Sequence, residues 1–283
     1  KNYFSPELLG PNNDSMLAIS FTLKENNNIS KKELDKIFNI IKKKIILFRR
    51  SKSVISKKEA LNILAKGSMG LPKSWNIKKK FLKNIYDRGI SKNFKNYTKF
   101  EKLFPQKKPT TLPNFVKSNN VIDAARKCIG VLDGTSHFID LYKVDKIFDK
   151  KSSRSYNLNK NKFFFLIHAG SGDVGIFLHH ESLKYKDFKF NMNSSLCKKL
   201  LNFNQIAGNF GFANRLFIFK QISDVLKKIL KNQIDDIDIF SDLPHDYLDY
   251  IKKKNIFLHR KGAVRFISEK SIKNKKDIPY LFP

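Results

Sequence analysis

Apolar residues recur along this chain in two rhythms, and each rhythm marks a kind of element. Residues 16–23 (MLAISFTL) alternate in part and read as a strand. Leu34, Ile37, Ile41, Ile45 and Phe48 recur at spacings of three and four, which predicts an amphipathic helix over 31–50 with a basic outer face. Ser30 is placed to cap it, with Glu33 at the third helical position. Residues 56–65 predict a second helix, stopped by Gly67 and Gly70, and 75–88 and 97–104 predict shorter ones. Residues 105–113 form a Pro/Lys/Thr loop, and 121–128 read as a helix ending at Gly130.

The densest signal lies between Cys128 and His180. Two apolar runs flank a polar, basic insertion there. Residues 138–144 predict one strand. Phe163, Phe164, Phe165, Leu166 and Ile167 predict a second, buried on both faces. Paired as a long-looped hairpin, the two strands would bring together His137, which opens the first, and His168, which ends the second before a Gly/Ser turn. Two imidazoles converging at strand ends commonly build a metal or phosphoryl site. The competing reading is a pair of satisfied core histidines. Residues 196–230 read mostly as helix, with Asn209, Phe212 and Arg215 spaced along one face. Two asparagines (209 and 214) and an arginine inside an apolar helix are costly unless satisfied. Residues 235–240 and 256–259 predict strands, and His245 stands at a turn between them. No internal repeat is visible.

Charge changes the picture. Lys+Arg number 56 against 25 Asp+Glu, a net +31 over 283 residues, much of it in lysine runs such as 42–44, 78–80 and 252–254. Such a field attracts polyanions, nucleic acid first, and lysine suits backbone attraction better than base reading. Part of the excess is compatible with compositional drift toward Lys, Asn, Ile and Phe. The chain is 41% hydrophobic, enough to bury a sizeable core. The two cysteines, Cys128 and Cys197, make no disulfide framework, which points to a reducing compartment. No apolar run reaches membrane-spanning length, so no membrane partner is expected. The start at Lys1 leads us to expect a removed leader or a longer N-terminal region.

Five motifs stand in one order: GTSHFID (134–140), HAGSG (168–172), NFGFANR (209–215), PHDY (244–247) and HRKGAVR (259–265). In that order they resemble the RtcB family of RNA-splicing ligases, with the match concentrated in 128–266 and weaker agreement around 64–89. The resemblance implies an α+β fold: one large domain over 1–283 with central sheets and surrounding helices, incomplete at both ends. Residues 1–120 would be its divergent part and 121–283 its motif-bearing part. Family members join RNA 3′-phosphate or 2′,3′-cyclic phosphate ends to 5′-hydroxyl ends, using Mn²⁺ and GTP through a guanylylated histidine. The resemblance carries metal-ligand roles to His137, His168 and His245. It puts Ser136 at a nucleotide contact and Asp140 at the acid that follows the histidine; Ser136, Asp140 and Lys261 are the nucleotide-binding candidates, and Arg215, Arg260, Lys261 and Arg265 the candidates for phosphate contact. The opposing reading of each cation is a solvated or internally paired charge, and His179, His180 and His259 read as structural.

Departures from the family pattern set the functional expectation. The aspartate and cysteine of its first metal motif fall on Asn12 and Ser15 in one register, or on Asp14 and Leu17 in another, and neither keeps a thiolate. Asp173 follows Gly172 where the family has an arginine before its glycine. The segment bearing the guanylylated histidine has no counterpart before the chain stops at Pro283. The expectation is an RtcB-like pseudoenzyme that has lost Mn²⁺ and GTP. It would bind structured RNA, rRNA first, among neighbouring proteins of a ribonucleoprotein such as an organellar ribosome. A mitochondrion or other organelle is the expected location, with the cytoplasm as the alternative. The competing readings are an active or split ligase that still joins RNA ends, and a nucleotide-binding regulator that keeps a GTP pocket without chemistry.

Overall fold

A computed structural model describes residues 3–4, 13–25, 27–47, 49–85, 101–105, 108–133, 136–185, 190–191, 194–251 and 256–264. Its strands are β1 (Tyr3–Phe4), β2 (Ser15–Leu23), β3 (Phe138–Lys143), β4 (Lys162–Ala169), β5 (Phe190–Asn191), β6 (Ile234–Pro244), β7 (Tyr247–Ile251) and β8 (Ile256–Arg260). Its α-helices are α1 (Lys31–Lys44), α2 (Lys57–Lys66), α3 (Val121–Lys127), α4 (Lys150–Ser155), α5 (Gly172–Ser182) and α6 (Ser195–Leu230). The class is α+β. The main sheet has the antiparallel order β3-β4-β2-β6, and β1-β5 and β7-β8 form two small sheets.

The period-two alternation sorts the main sheet into two faces. Leu17, Ile19, Phe21 and Leu23 of β2 join Phe163, Phe165, Ile167 and Ala169 of β4 in one apolar cluster with α1 and α6. Ala18, Phe164 and Leu166 face the other way, into a smaller cluster with Phe240. A third cluster packs α2, α3, α5 and the first half of α6 against one another. α6 is therefore wrapped by protein over most of its length, which is why its residues are apolar on nearly every side.

Local chemistry sets most boundaries. Ser30 and Ser56 each complete a capping box, with Glu33 and Glu59 returning a bond to the cap. α1 ends at Lys44, short of the predicted residue 50. Ile46 instead bridges Val131, and its carbonyl accepts from Leu132 N at 3.0 Å, which ties this segment to the loop before His137. The region predicted as helix over 75–88 is 3-10 helix at Lys73–Trp75 and Lys79–Asn84, and its last three residues lie outside the described ones. The first half of the segment 97–104, residues 97–100, also lies outside them. The Gly/Ser turn after His168 leads directly into α5, whose apolar residues are buried all round and so carry no amphipathic signal. Among the described residues, no helix is long and apolar enough to cross a membrane.

The adjacent strands β4, β2 and β6 converge at one end, and a buried ion pair joins them there. Arg215 of α6 is 1% exposed, and its Nε donates to Asp242 Oδ1 of β6 at 2.8 Å. Its Nη1 donates to the Ala169 carbonyl of β4 at 2.8 Å, and Ser15 Oγ of β2 donates to Asp242 Oδ1 at 2.5 Å. Burial pushes the Asp242 carboxyl up, and the Arg215 charge and the Ser15 hydroxyl pull it back. A buried guanidinium without its anion would cost more, so Asp242 serves as the counter-ion. Gly211 makes the approach possible: a Cβ there would lie 3.3 Å from the Asn13 carbonyl oxygen and 3.4 Å from Arg215 Nη1.

Arg215→Met strands the Asp242 charge and is expected to destabilise the fold by about 3–5 kcal/mol, measured by urea unfolding. Arg215→Met combined with Asp242→Leu should recover most of that loss. A single variant as stable as the parent would show that the pair does not bind the strand ends together.

Candidate metal centre at the convergent strand ends

Each residue of the ion-pair network has a potential ligand as its neighbour. Asp14 precedes Ser15, His168 precedes Ala169, and His245 follows β6 three residues after Asp242. The Asp14 carbonyl accepts from His245 N at 3.1 Å and from Asp246 N at 3.3 Å, which holds the His245 turn against the start of β2. His137 enters from the start of β3, where Phe138 pairs with His168 across the ladder.

Asp14, His137 and His168 present ligand atoms that all lie within 4.8 Å of one another. His245 joins through His168, with their Nε2 atoms 3.0 Å apart. The His137–His168 and His168–His245 ring centroids are 4.7 and 4.8 Å apart. The spacing of the two central histidines therefore does bring them together.

Backbone carbonyls fix the tautomers. His168 Nδ1 donates to the Ser136 carbonyl at 3.1 Å, and His137 Nδ1 makes a short bond to the Leu132 carbonyl. A carbonyl can only accept, so each Nδ1 carries its proton and each Nε2 is left to face the cluster. Holding one imidazole nitrogen on a carbonyl while presenting the other is the usual support for a metal-ligating histidine.

Burial and charge act together here. Burial alone would raise Asp14, but His137 beside it, backed by His168 and His245, holds its carboxyl below the ordinary range. Burial pushes His137 down, yet Asp14 outweighs it and the net direction is up. His168 and His245 are both lowered, chiefly by burial, which favours their neutral, ligand-competent form.

The fit to a divalent cation rests on two stranded atoms. Asp14 Oδ1 and His137 Nε2 lie 3.2 Å apart on side chains 6% and 4% exposed, yet neither makes an aligned hydrogen bond. They form a buried ion pair without an aligned hydrogen bond, and a cation beside them would satisfy both atoms. The donor set of carboxylate oxygen and imidazole nitrogens suits Zn²⁺ or Mn²⁺.

The remaining predicted residues divide. Ser136 supports His168 through its carbonyl. Asp140, opposite Leu166, is exposed on the same sheet face as His168 and accepts from Tyr142 Oη at 3.4 Å. Lys261 is drawn onto Asp246, whose other oxygen accepts from Gly262 N at 2.7 Å, so this motif braces the His245 turn instead of standing free for a nucleotide. Arg215 is corrected: fully buried on Asp242, it is a core cation out of reach of RNA. Arg260 is 8% exposed and likewise no open phosphate contact. Arg265 lies outside the described residues. His180 sits beside Thr111, away from the cluster.

Asp14 is the residue that motif alignment failed to fix. The register that puts Asn12, a residue outside those described, at the aspartate position supplies no carboxylate, whereas the register that puts Asp14 there names the residue that stands in the cluster. The motif left the choice between the two open, and the pairing of β2 with β4 and β6 shows where β2 begins. The other register's Leu17 is buried in the sheet core, and both cysteines lie in the helical cluster with thiols that burial pushes up. No thiol therefore reaches the site.

A family model described as "tRNA-splicing ligase RtcB" matches residues 5–279, nearly the whole chain. Curated relatives bearing that name agree. The protein from Methanococcus maripaludis is 25% identical over 162 residues, 48% of this chain and 33% of its own. That from Methanopyrus kandleri is 23% identical over 189 residues, 56% of this chain and 19% of its own. That from Archaeoglobus fulgidus is 23% identical over 173 residues, 53% of this chain and 36% of its own. The chain thus spans about a third of the length of the first of these relatives.

Asp14→Ala and His168→Ala should each lower Mn²⁺ or Zn²⁺ affinity by about 100-fold or more in calorimetric titration, whereas His180→Ala should leave it unchanged. Equal affinity in all three would remove the cluster as a metal centre.

Proposed function

This chain belongs to the RtcB family, and we propose that it acts on RNA ends through a divalent-metal centre held by Asp14, His137, His168 and His245. The observation that carries this reading is the pair of histidines whose Nδ1 protons are spent on the Ser136 and Leu132 carbonyls, leaving Nε2 turned toward a buried carboxylate. A cation bound there would supply positive charge against phosphate oxygens. The chain's own part is to fix that charge in place. Ser136 and Leu132 orient the imidazoles, and the turn braced by Asp246, Lys261 and Gly262 positions His245. Asp140, exposed on the same face as His168, is the candidate polar contact for a bound nucleotide. The net charge of +31 draws the RNA backbone toward the site. In this reading the activity is that of the family: joining a 3′-phosphate or cyclic phosphate end to a 5′-hydroxyl end with Mn²⁺ and GTP.

A second reading is supported by the missing thiol and the large surplus of lysine. Without a thiolate to fix an ion, the same fold would bind RNA without joining it. It would then serve as a basic part of a ribonucleoprotein, with rRNA and an organellar ribosome as the first candidates.

The two readings are separated by one assay on the purified protein. RNA strands carrying 3′-phosphate and 5′-hydroxyl ends are incubated with Mn²⁺ and GTP and resolved by length. A joined product that disappears in His168→Ala is the outcome expected of a ligase. Salt-dependent RNA binding with no joined product supports the structural role. Failure to bind either RNA or metal would sink both.

A further inference from the structure

Beside the metal cluster lies a cavity of about 590 Å³ that no motif marks. Its lining mixes residues of the divergent N-terminal part (Arg49, Arg50, Phe115 and Lys117) with Asp133 and the first residues of α5. Asp133 links the two sites: four residues before His137, it feels the charges of His137 and Asp14, and burial pushes its carboxyl up.

One wall is held rigid. Arg50 donates through Nε to the Ile129 carbonyl at 3.4 Å and through Nη2 to the Lys44 and Gly130 carbonyls at 2.7 and 3.3 Å. Asn214 Oδ1 accepts from Gly130 N at 2.7 Å and Val131 N at 3.3 Å, and its Nδ2 donates to the Val131 and Gly170 carbonyls at 3.0 and 3.1 Å. The segment 129–131 therefore has little freedom to fill the space. Gly172 lines the floor against the Asp133 carboxylate, and its φ of +50° favours glycine.

Some of the groups lining this space keep unused capacity. Arg49 Nη1 is buried without a hydrogen-bond partner, and Nη2 lies 3.7 Å from an Asp123 carboxylate that already holds Lys127 at 2.6 Å. Lys117 is exposed, with no partner among the described residues. Phe115 keeps 70% of its surface exposed although it lines the cavity, so its ring stands at the opening. Of the two carboxyls, Asp173 is taken up by Ser118 Oγ at 2.8 Å, and Asp133 makes no hydrogen bond among the described residues.

We propose that this cavity receives the terminal nucleotide of a single-stranded RNA, with Arg49 and Lys117 holding a backbone phosphate and Phe115 stacking on the base. A guanidinium with an unmatched nitrogen and a free ammonium suit a phosphate. An exposed aromatic ring suits an unstacked base of any identity. A lone carboxylate in the pocket suits the amino edge of a base that presents one. The volume lies within the range of small-ligand sites. The proposal rests on the reading of this chain as a protein that acts on RNA ends, and it names the residues that seat the strand beside the metal.

The test compares charge-matched variants, because a chain of +31 binds RNA everywhere weakly. Affinity for a fluorescently labelled single-stranded oligoribonucleotide is measured by anisotropy in R49Q/K117Q, in the remote K32Q/K228Q, and in F115A. Mn²⁺ affinity is titrated in the same proteins. The pocket pair and F115A are expected to lose about tenfold each, K32Q/K228Q far less, and Mn²⁺ affinity should hold throughout. Equal losses in the two charge-matched pairs, or full affinity in F115A, overturn the proposal. If the parent protein binds no Mn²⁺ but the pocket pair still loses the larger share, the metal reading fails and the pocket stands.

Discussion

The geometry of the site depends on one buried charge pair. Arg215 and Asp242 are 1% and 0% exposed, and burying either alone would cost several kcal/mol. An apolar pair of similar volume would pack as well or better, so the gain here is positional. A guanidinium has donors in a fixed fork, and this one spends them on a carboxylate of β6 and a carbonyl of β4. The carboxylate in turn takes the hydroxyl of Ser15 on β2. Three strands are thereby locked in register at their ends by atoms one to three residues from Asp14, His168 and His245. A slip of one residue would turn each of those side chains to the opposite face of its strand. NFGFANR is thus a structural motif in this chain: its arginine fixes the strand ends beside Asp14, His168 and His245.

Two kinds of electrostatics are at work. At the surface, +31 is a long-range field, weakened within about 8–10 Å by physiological salt and indifferent to sequence. In the interior, a few dipoles act at fixed distance in a poorly screening medium. The Ser136 and Leu132 carbonyls each hold a proton on Nδ1, and that choice decides what Nε2 can do. The field brings a polyanion close without saying where it should stop. The buried network supplies the stopping point, since it fixes a place where carboxylate and imidazole atoms lie close together.

Much of this was open to reading in the chain. The strands at 16–23 and 163–167 were legible because both faces of the central sheet are packed, so apolar residues persist while their contacts alternate. α1 was legible because one side meets water, and α6 because thirty-six residues of recurrent apolar positions exceed any strand. Three things were not. α5 is buried on every side and shows no periodicity to detect. The end of α1 is set by a bridge from Ile46 to Val131, a contact 85 residues away that no local propensity encodes. The choice of Asp14 over Asn12 needed the knowledge that β2 lies between β4 and β6, because its role comes from the strand ends beside it. Arg215 was misread for a related reason: an apolar helix with an arginine looks the same whether that cation faces RNA or a buried aspartate.

The site and the neighbouring cavity share a wall, and this constrains how the protein can vary. The segment 129–133 carries the carbonyl that orients His137, the backbone groups bonded by Asn214, and the carboxylate that faces the cavity. Arg50 and the Ile46 bridge hold the same segment from the end of α1. A change that loosened the wall would therefore free an imidazole as well as reshape the pocket, whereas a change at the rim residues Arg49, Phe115 or Lys117 would not. Specificity for a bound strand can drift at the rim while the ligand cluster stays fixed. The rim comes from residues before 120, and the histidines of the cluster come from the ordered motifs after them.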